Sequence, residues 1–398
     1  MQTNWRIGSL FGIPLYINYS WFIILLLVTL VNGQQLSQDY QPLIAWLMSL
    51  LLALLLFTSV LLHELGHSLA AKAQGIHVNS ITLFLFGGVA SIERESKTPG
   101  EAFQVAIAGP LVSMILAVAF LSLTQIISEA SLLHTITSEL GTVNLILALF
   151  NLIPGLPLDG GQVLKAVVWK FTGDRFSGVR WASTTGKILG YGGISLGLFG
   201  VLISGSVGSI WVTLVAWFIL RNATAYERLT NLQESLFELK ASSAMTRDFR
   251  VMDANLTLAA FVEELKNTFS QCYYAASDGR YRGLILVQDL QEIERSEWGK
   301  KTLLHIAHPL DTIPAVDEQT SLVEVINQLE KLQLNRLTVL SPAGAVAGVI
   351  DKGDMVAAIA KKHNLLIPET EIKRVKTEGT YPPGLQLKTI AKLVSEGK

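Results

Sequence analysis

Residues 61–70 read LLHELGHSLA and set two histidines four positions apart, with a glutamate directly after the first. On an α-helix, His63 and His67 project from one face and can bind one metal ion together. Glu64, turned by about 100° from His63, can reach a water held at that metal. A divalent metal with a carboxylate general base beside it is the apparatus of metal-assisted hydrolysis. The plainer alternative is a helix–helix hydrogen-bonding cluster or a proton relay. The motif follows some twenty nearly uncharged, mostly apolar residues. An ionised group in such a setting costs roughly 2.5–3.5 kcal/mol, so three polar groups together call for a strong compensating partner, and a zinc ion is one.

Catalytic zinc takes three protein ligands and keeps one position open. The other histidines are poorly placed to be the third: His77 lies in a cytoplasmic strand, His134 on the opposite side of the membrane, and His305 and His308 in the soluble half. The better candidate is Asp159 in NLIPGLPLDGG, residues 151–161. Pro154 and Pro157 break the helix there, so the chain can unwind and aim a carboxylate, and the glycines at 155, 160 and 161 permit tight turns. Asp159 could instead cap the helix that follows, GQVLKAVVWKF. Both motifs sit toward the cytoplasmic ends of their segments and can therefore meet. With Lys72 marking the interface, His63 lies roughly 13 Å below it at 1.5 Å per residue.

Several membrane helices must carry these residues. Apolar stretches at 17–31, 43–71, 102–127, 140–157, 187–204 and 208–220 predict six spans, the last two weakened by glycines and a very short turn. The connections at 32–41, 126–137 and 204–208 contain no lysine or arginine, whereas the alternate ones hold Lys72, Arg94, Lys97, Lys165, Lys170, Arg175, Arg180 and Lys187. The positive-inside rule then puts both termini in the cytoplasm. Arg6 is too far from the first apolar core for a usual cleaved leader. The 16% charged residues and mean hydropathy of +0.42 average a membrane half with a soluble half beyond about Tyr226. A net charge of −1 and the lack of a basic, aromatic-interleaved stripe give no sign of nucleic acid. Cys272, the single cysteine, excludes an internal disulfide and reads as a core or surface thiol.

HELGH on one membrane helix with NxxPxxPLDG on a later one resembles the site-2 protease family of intramembrane zinc metalloproteases, over about the first 225 residues. The resemblance implies one zinc ion held by His63, His67 and Asp159, with Glu64 as the general base. It also implies that Asn151 holds the substrate carbonyl or its oxyanion. Substrates would be single-span membrane proteins, such as membrane-held transcription regulators or signal-peptide remnants. ITLFLFGGVASIE, residues 81–93, looks like the family's membrane-associated β-hairpin, with Phe86, Gly87, Gly88 and Val89 offering an edge strand to substrate. A re-entrant loop of structural use alone is the alternative. AIAGPLVS, residues 106–113, matches the family's third span, and its Gly109-Pro110 pair reads as structural. The glycine-rich fifth span suits a lateral gate or tight helix packing equally.

In the soluble half, DANLTLAAFVEEL from Asp253 recurs 64 positions later as DEQTSLVEVINQL from Asp317, and GLILVQDL from Gly283 recurs as GVIDKGDM from Gly348. Such a pair resembles a tandem of cystathionine-β-synthase-type (CBS) domains. The resemblance implies a cytoplasmic α/β regulatory domain, possible homodimers, and ATP or AMP contacted through Asp289 and Asp354. The hydroxyl expected three positions before each aspartate is replaced by Leu286 and Asp351, which counts against nucleotide.

The expected architecture is therefore a polytopic α-helical membrane protein at 1–225, with six transmembrane helices and a β-hairpin. A linker helix at 226–240, the CBS pair at 241–364 and a tail at 365–398, which could be ordered against another part of the protein, complete the chain. Such a protein belongs in a prokaryotic plasma (inner) membrane. The competing function is a CBS-regulated ion transporter or channel, but transport calls for polar groups along a path, and here they gather at one depth.

Overall fold

The computed structural model describes residues 4–382 apart from 86, 130, 268, 269 and 271, together with 387, 388, 390 and 391. The chain divides into two compact units, Met1–Asn231 and Leu232–Glu396.

The first unit opens with two strands, β1 (Asn4–Leu10) and β2 (Ile13–Asn18), before the helices α1 (Ser20–Leu36) and α2 (Pro42–Ala73). A hairpin of β3 (Val78–Phe84) and β4 (Gly87–Ile92) follows, then α3 (Pro99–Thr124), α4 (Leu132–Asn151), α5 (Asp159–Thr172), α6 (Arg175–Ser204) and α7 (Val207–Glu238). Among the described residues, α2, α3, α4 and α6 are long and apolar enough to cross a membrane. The spans expected at 17–31 and 208–220 fall on α1, which is shorter at 17 residues, and on α7, which is not among those four.

Local signals set the boundaries. Thr98 and Glu101 form a reciprocal capping box ahead of α3, with Pro99 at its first position. Gly173, at φ 73°, ends α5, and Asp174 caps α6 by accepting from the amides of Phe176 and Ser177. The glycine stripe of α6 is filled: a β-carbon at Gly190, Gly193, Gly197 or Gly200 would meet Leu220, Ala216, Thr213 or Ser209 of α7 at 2.2–2.7 Å. Tight packing, of the two readings of that stripe, is the one this geometry uses.

The strands form one sheet in the order β1-β2-β3-β4, with β2 and β3 parallel and the other pairs antiparallel. The expected hairpin is thus half of a larger sheet, whose other half comes from residues that read in the sequence as a lead-in to the first span. Alternation explains its seating: Ile13 and Leu15 of β2 and Val78 and Ile81 of β3 are buried against Leu65, Ala71 and Ile76, at and just beyond the C-terminal half of α2. This clamps the sheet beside HELGH and leaves β4 at a sheet edge, against α2.

The second unit repeats one motif. After the short helix α8 (Ala241–Ala244), β5 (Arg250–Asp253) runs parallel to β6 (Tyr273–Ser277) through α9 (Leu258–Asn267), and β6 pairs antiparallel with β7 (Arg280–Ile285). A short β8 (Ala307–His308) extends that sheet. Then β9 (Ala315–Asp317) runs parallel to β10 (Arg336–Leu340) through α10 (Leu322–Leu332), and β10 pairs antiparallel with β11 (Val346–Asp351). The copies diverge after the third strand, where a 3-10 turn at Val287–Glu292 stands in one and the helix α11 (Lys352–Lys362) in the other. Among the described residues beyond 364, several join the core. In α12 (Glu369–Glu378), Val375 is buried, as are Leu387, Ile390 and Ala391, in the cluster that also holds Val325, Ile326 and Leu329 of α10.

Candidate metal centre

The HELGH residues lie toward the C-terminal end of α2, where the i, i+4 spacing presents both imidazoles on one face. Asp159 comes from the first turn of α5. The loop between α4 and α5 turns sharply: a β-carbon on Gly160 would fall 2.2 Å from the Leu152 carbonyl oxygen, so only glycine lets α5 fold back on the end of α4. The Leu156 amide, donating to the Ala182 carbonyl at 3.1 Å, ties this loop to α6. Asp159 is not the helix cap; Leu158 holds that position, without a side-chain bond.

Three ligating atoms converge. His63 Nε2 lies 3.0 Å and His67 Nε2 3.2 Å from Asp159 Oδ2, and the two nitrogens are 3.3 Å apart. A tetrahedral ion with bonds of about 2.0–2.1 Å separates its ligand atoms by roughly 3.4 Å, close to this triangle. The far side of each ring is also engaged. His67 Nδ1 lies 2.7 Å from the Val105 carbonyl oxygen, which can only accept, so the proton sits on Nδ1 and the Nε2 lone pair faces the cluster. His63 Nδ1 lies 2.9 Å from Ser113 Oγ. Oriented imidazoles with outer partners, plus one carboxylate, form a donor set that fits zinc.

Glu64 faces the edge strand. A β-carbon at Gly88 would fall 2.4 Å from Glu64 Cγ and 3.1 Å from Cδ, so β4 lies directly on this carboxylate. Asn151, the last residue of α4, brings Nδ2 to 3.5 Å from His63 Nε2. Five residues singled out in the sequence, His63, Glu64, His67, Asn151 and Asp159, therefore meet, with Gly88 over them. Of the other strand residues, Gly87 and Val89 pair with Phe84 and Thr82 of β3, and Phe86 lies outside the described residues.

Three contributors carry no obvious signature: Ser113, the Val105 carbonyl, and Gly109, whose β-carbon would strike His67 Nε2 at 2.2 Å. All belong to α3. The small residues of AIAGPLVS at one-turn spacing are the signal that could have shown the face α3 turns to the site.

Asp289 and Asp354, the nucleotide candidates, lie in the second unit and are each engaged by the chain. Asp289 Oδ2 is 2.7 Å from His308 Nε2. Asp354 closes a capping box with Asp351 at the start of α11 and takes Lys376 of α12 at 2.5 Å.

Likeness to known proteins falls on the same residues. The family model described as Peptidase family M50 matches residues 51–139 and 125–188, which include all five that meet at the centre. A putative zinc metalloprotease of Synechocystis sp. is 41% identical over 370 residues, covering 90% of this chain and 96% of that protein. The chain belongs to peptidase family M50. Among solved structures, this M50 chain is similar to the site-2 protease from Methanocaldococcus jannaschii, at 31% identity and a TM-score of 0.41, covering 56% of this chain and 95% of that one. It is also similar to the CBS domain of the bacterial CNNM/CorC family Mg2+ transporter, at 18% identity and a TM-score of 0.27, covering 36% and 85%.

Proposed function

We propose that this chain, an intramembrane zinc metalloprotease, cuts single-span membrane proteins at the centre formed by α2, α4 and α5. The observation that carries the reading is the convergence of His63, His67 and Asp159 with Glu64 alongside. His63, His67 and Asp159 hold the zinc, which when bound supplies a Lewis acid that activates water and polarises a peptide carbonyl. Glu64 takes the proton from the attacking water and delivers it to the leaving amine. Asn151 donates its amide to the carbonyl oxygen as negative charge develops there. The Val105 carbonyl keeps His67 in the ligating tautomer, and Ser113 orients the His63 ring from its outer nitrogen.

A helical substrate hides its carbonyls in hydrogen bonds, so cleavage needs an extended segment. The edge strand β4 supplies a template: Gly87, Gly88 and Val89 offer main-chain groups to an added strand directly over Glu64. The six helices α1, α2, α3, α4, α6 and α7 span a prokaryotic plasma membrane with both termini cytoplasmic. The second unit is a CBS pair that modulates cleavage and favours dimers. ATP or AMP would bind it only by competing with His308 and Lys376, which now hold Asp289 and Asp354.

The deciding experiment is co-expression with candidate single-span substrates, comparing wild type with Glu64→Gln. The expected result is cleavage in wild type and none in the variant at equal membrane abundance. Undiminished cleavage by Glu64→Gln would sink the mechanism.

A further inference from the structure

One polar contact deep in the first unit has no part in the chemistry above. Asn144 on α4 and Ser59 on α2 are both buried, at 0% and 4% exposure, and the Asn144 amide donates to Ser59 Oγ at 3.0 Å and to the Leu140 carbonyl at 2.8 Å. The Asn144 Oδ1 has no partner among the described residues. A buried, unmatched amide oxygen destabilises the fold, whereas a leucine of similar size would carry no such cost. Apolar packing alone therefore does not call for an asparagine here.

Position does. Asn144 precedes Asn151 by seven residues, two helical turns, and Ser59 precedes His63 by four, just over one turn. The Ser59–Asn144 bond thus lies on the same facing sides of α2 and α4 that bring Asn151 Nδ2 to 3.5 Å from His63 Nε2. α4 packs mainly against α3 and meets α2 along a shorter stretch, so apolar contact with α2 gives it little purchase in rotation or depth. Directional polar bonds fix register where apolar side chains slide.

We propose that Asn144 is a positioning residue: through Ser59 it sets the rotation and depth of α4 against α2, so that Asn151 and, beyond the loop, Asp159 meet His63. The inference rests on the proposed roles of Asn151 and Asp159. It predicts that Asn144→Leu harms turnover more than folding, because the unmatched oxygen leaves with the bond.

The test uses the full chain reconstituted in lipid vesicles with a cleavable single-span substrate, and compares wild type, Glu64→Gln, Asn144→Leu, Ser59→Ala and the exchange Ser59→Asn/Asn144→Ser. Asn144→Leu should keep the wild-type melting temperature or exceed it, bind one zinc, and lose about tenfold in kcat with little change in KM, the size expected for one lost hydrogen bond. The visible spectrum of the cobalt(II)-loaded protein should shift in Asn144→Leu and return in the exchange variant, along with kcat. Should Asn144→Leu fail to fold, Ser59→Ala removes the same bond from the other helix and must show the same loss. Wild-type kcat and spectrum in the folded single variants, or no recovery in the exchange variant, overturns the proposal. A wild type that does not cleave, or an active Glu64→Gln, would instead count against the proposed function.

Discussion

Gly88 and Glu64 stand so close that a β-carbon on Gly88 would fall 2.4 Å from Glu64 Cγ. The Glu64 side chain and the edge strand are thus one structural unit, and in the proposed mechanism a substrate strand added to β4 would be brought to the carboxylate by main-chain pairing. Gly88→Val should therefore push Glu64 or the strand aside and reduce cleavage by about a hundredfold, within the range for loss of a positioned acid–base group. Zinc content should stay at one per chain, since the three ligands are untouched. Cleavage rate and metal analysis on the same preparation check this; loss of zinc in Gly88→Val would contradict it.

The imidazoles depend on α3 in two ways. Ser113 partners His63 Nδ1, and Gly109 leaves room for His67, whose Nε2 lies 2.2 Å from where a β-carbon would stand. Outer partners of metal-bound histidines are worth about 10–100-fold in metal affinity or activity. Ser113→Ala should weaken zinc at the lower end of that range, by freeing one ring. Gly109→Ala should weaken it more, by displacing the other. Competition with a graded series of chelators measures both, and equal affinity to wild type in Gly109→Ala would show that α3 gives way instead of the ring.

The convergence of His63, His67 and Asp159 was largely legible in the sequence, because it follows from residue type and helical spacing. HELGH at helical spacing puts His63 and His67 on one face with Glu64 beside them, and the prolines around Asp159 mark the break between α4 and α5. The supporting shell was not, since a main-chain carbonyl such as that of Val105 has no residue signature and Gly109 acts through the side chain it lacks. The sheet was half legible. ITLFLFGG shows alternation and a turn, but Ile13, Leu15 and Ile17 alternate just ahead of an apolar span and merge with it. In the second unit, the strand–helix repeat was visible from Asp253 and Asp317. The burial of Val375 and Leu387 was not, because α12 is strongly polar and places only one residue in the core.

Lys376 holds Asp354 at 2.5 Å, with Asp351 at 3.8 Å, and the lysine retains 23% exposure against 3–4% for the carboxylates. Burial alone would lower the Lys376 pKa, but the Asp354 bond and the charges of Asp351, Asp354 and Asp248 outweigh it and hold the ammonium above its ordinary value. Its stabilisation is thus complete below the unfolded value and is lost as pH rises through the higher folded one. Lys376→Met should loosen α11 and α12 by roughly 2–4 kcal/mol, below the full cost of orphaning a buried charge because the site is partly wet. Hydrogen exchange of residues 352–378 in the intact protein measures this. The difference from wild type should persist through neutral and mildly alkaline pH and shrink only as pH rises past the ordinary lysine value, since the folded value lies above it.

The same lysine gives the nucleotide question a definite outcome. In the CBS resemblance Asp354 is a ribose ligand, yet here its carboxylate caps α11 and takes the Lys376 ammonium. ATP or AMP must displace that ammonium before the ribose hydroxyls can reach Asp354, so the affinity is reduced by the strength of the contact it replaces. Titration of the full chain with either nucleotide should then show weak, millimolar binding in wild type. Lys376→Ala, which frees the carboxylate, should bind at least tenfold tighter, and nucleotide should raise hydrogen exchange in α12 of the wild type. Binding that is equal in both proteins would put the nucleotide elsewhere. No binding in either, even at millimolar concentration, would leave Asp354 a structural residue and remove adenine nucleotide from the control of cleavage.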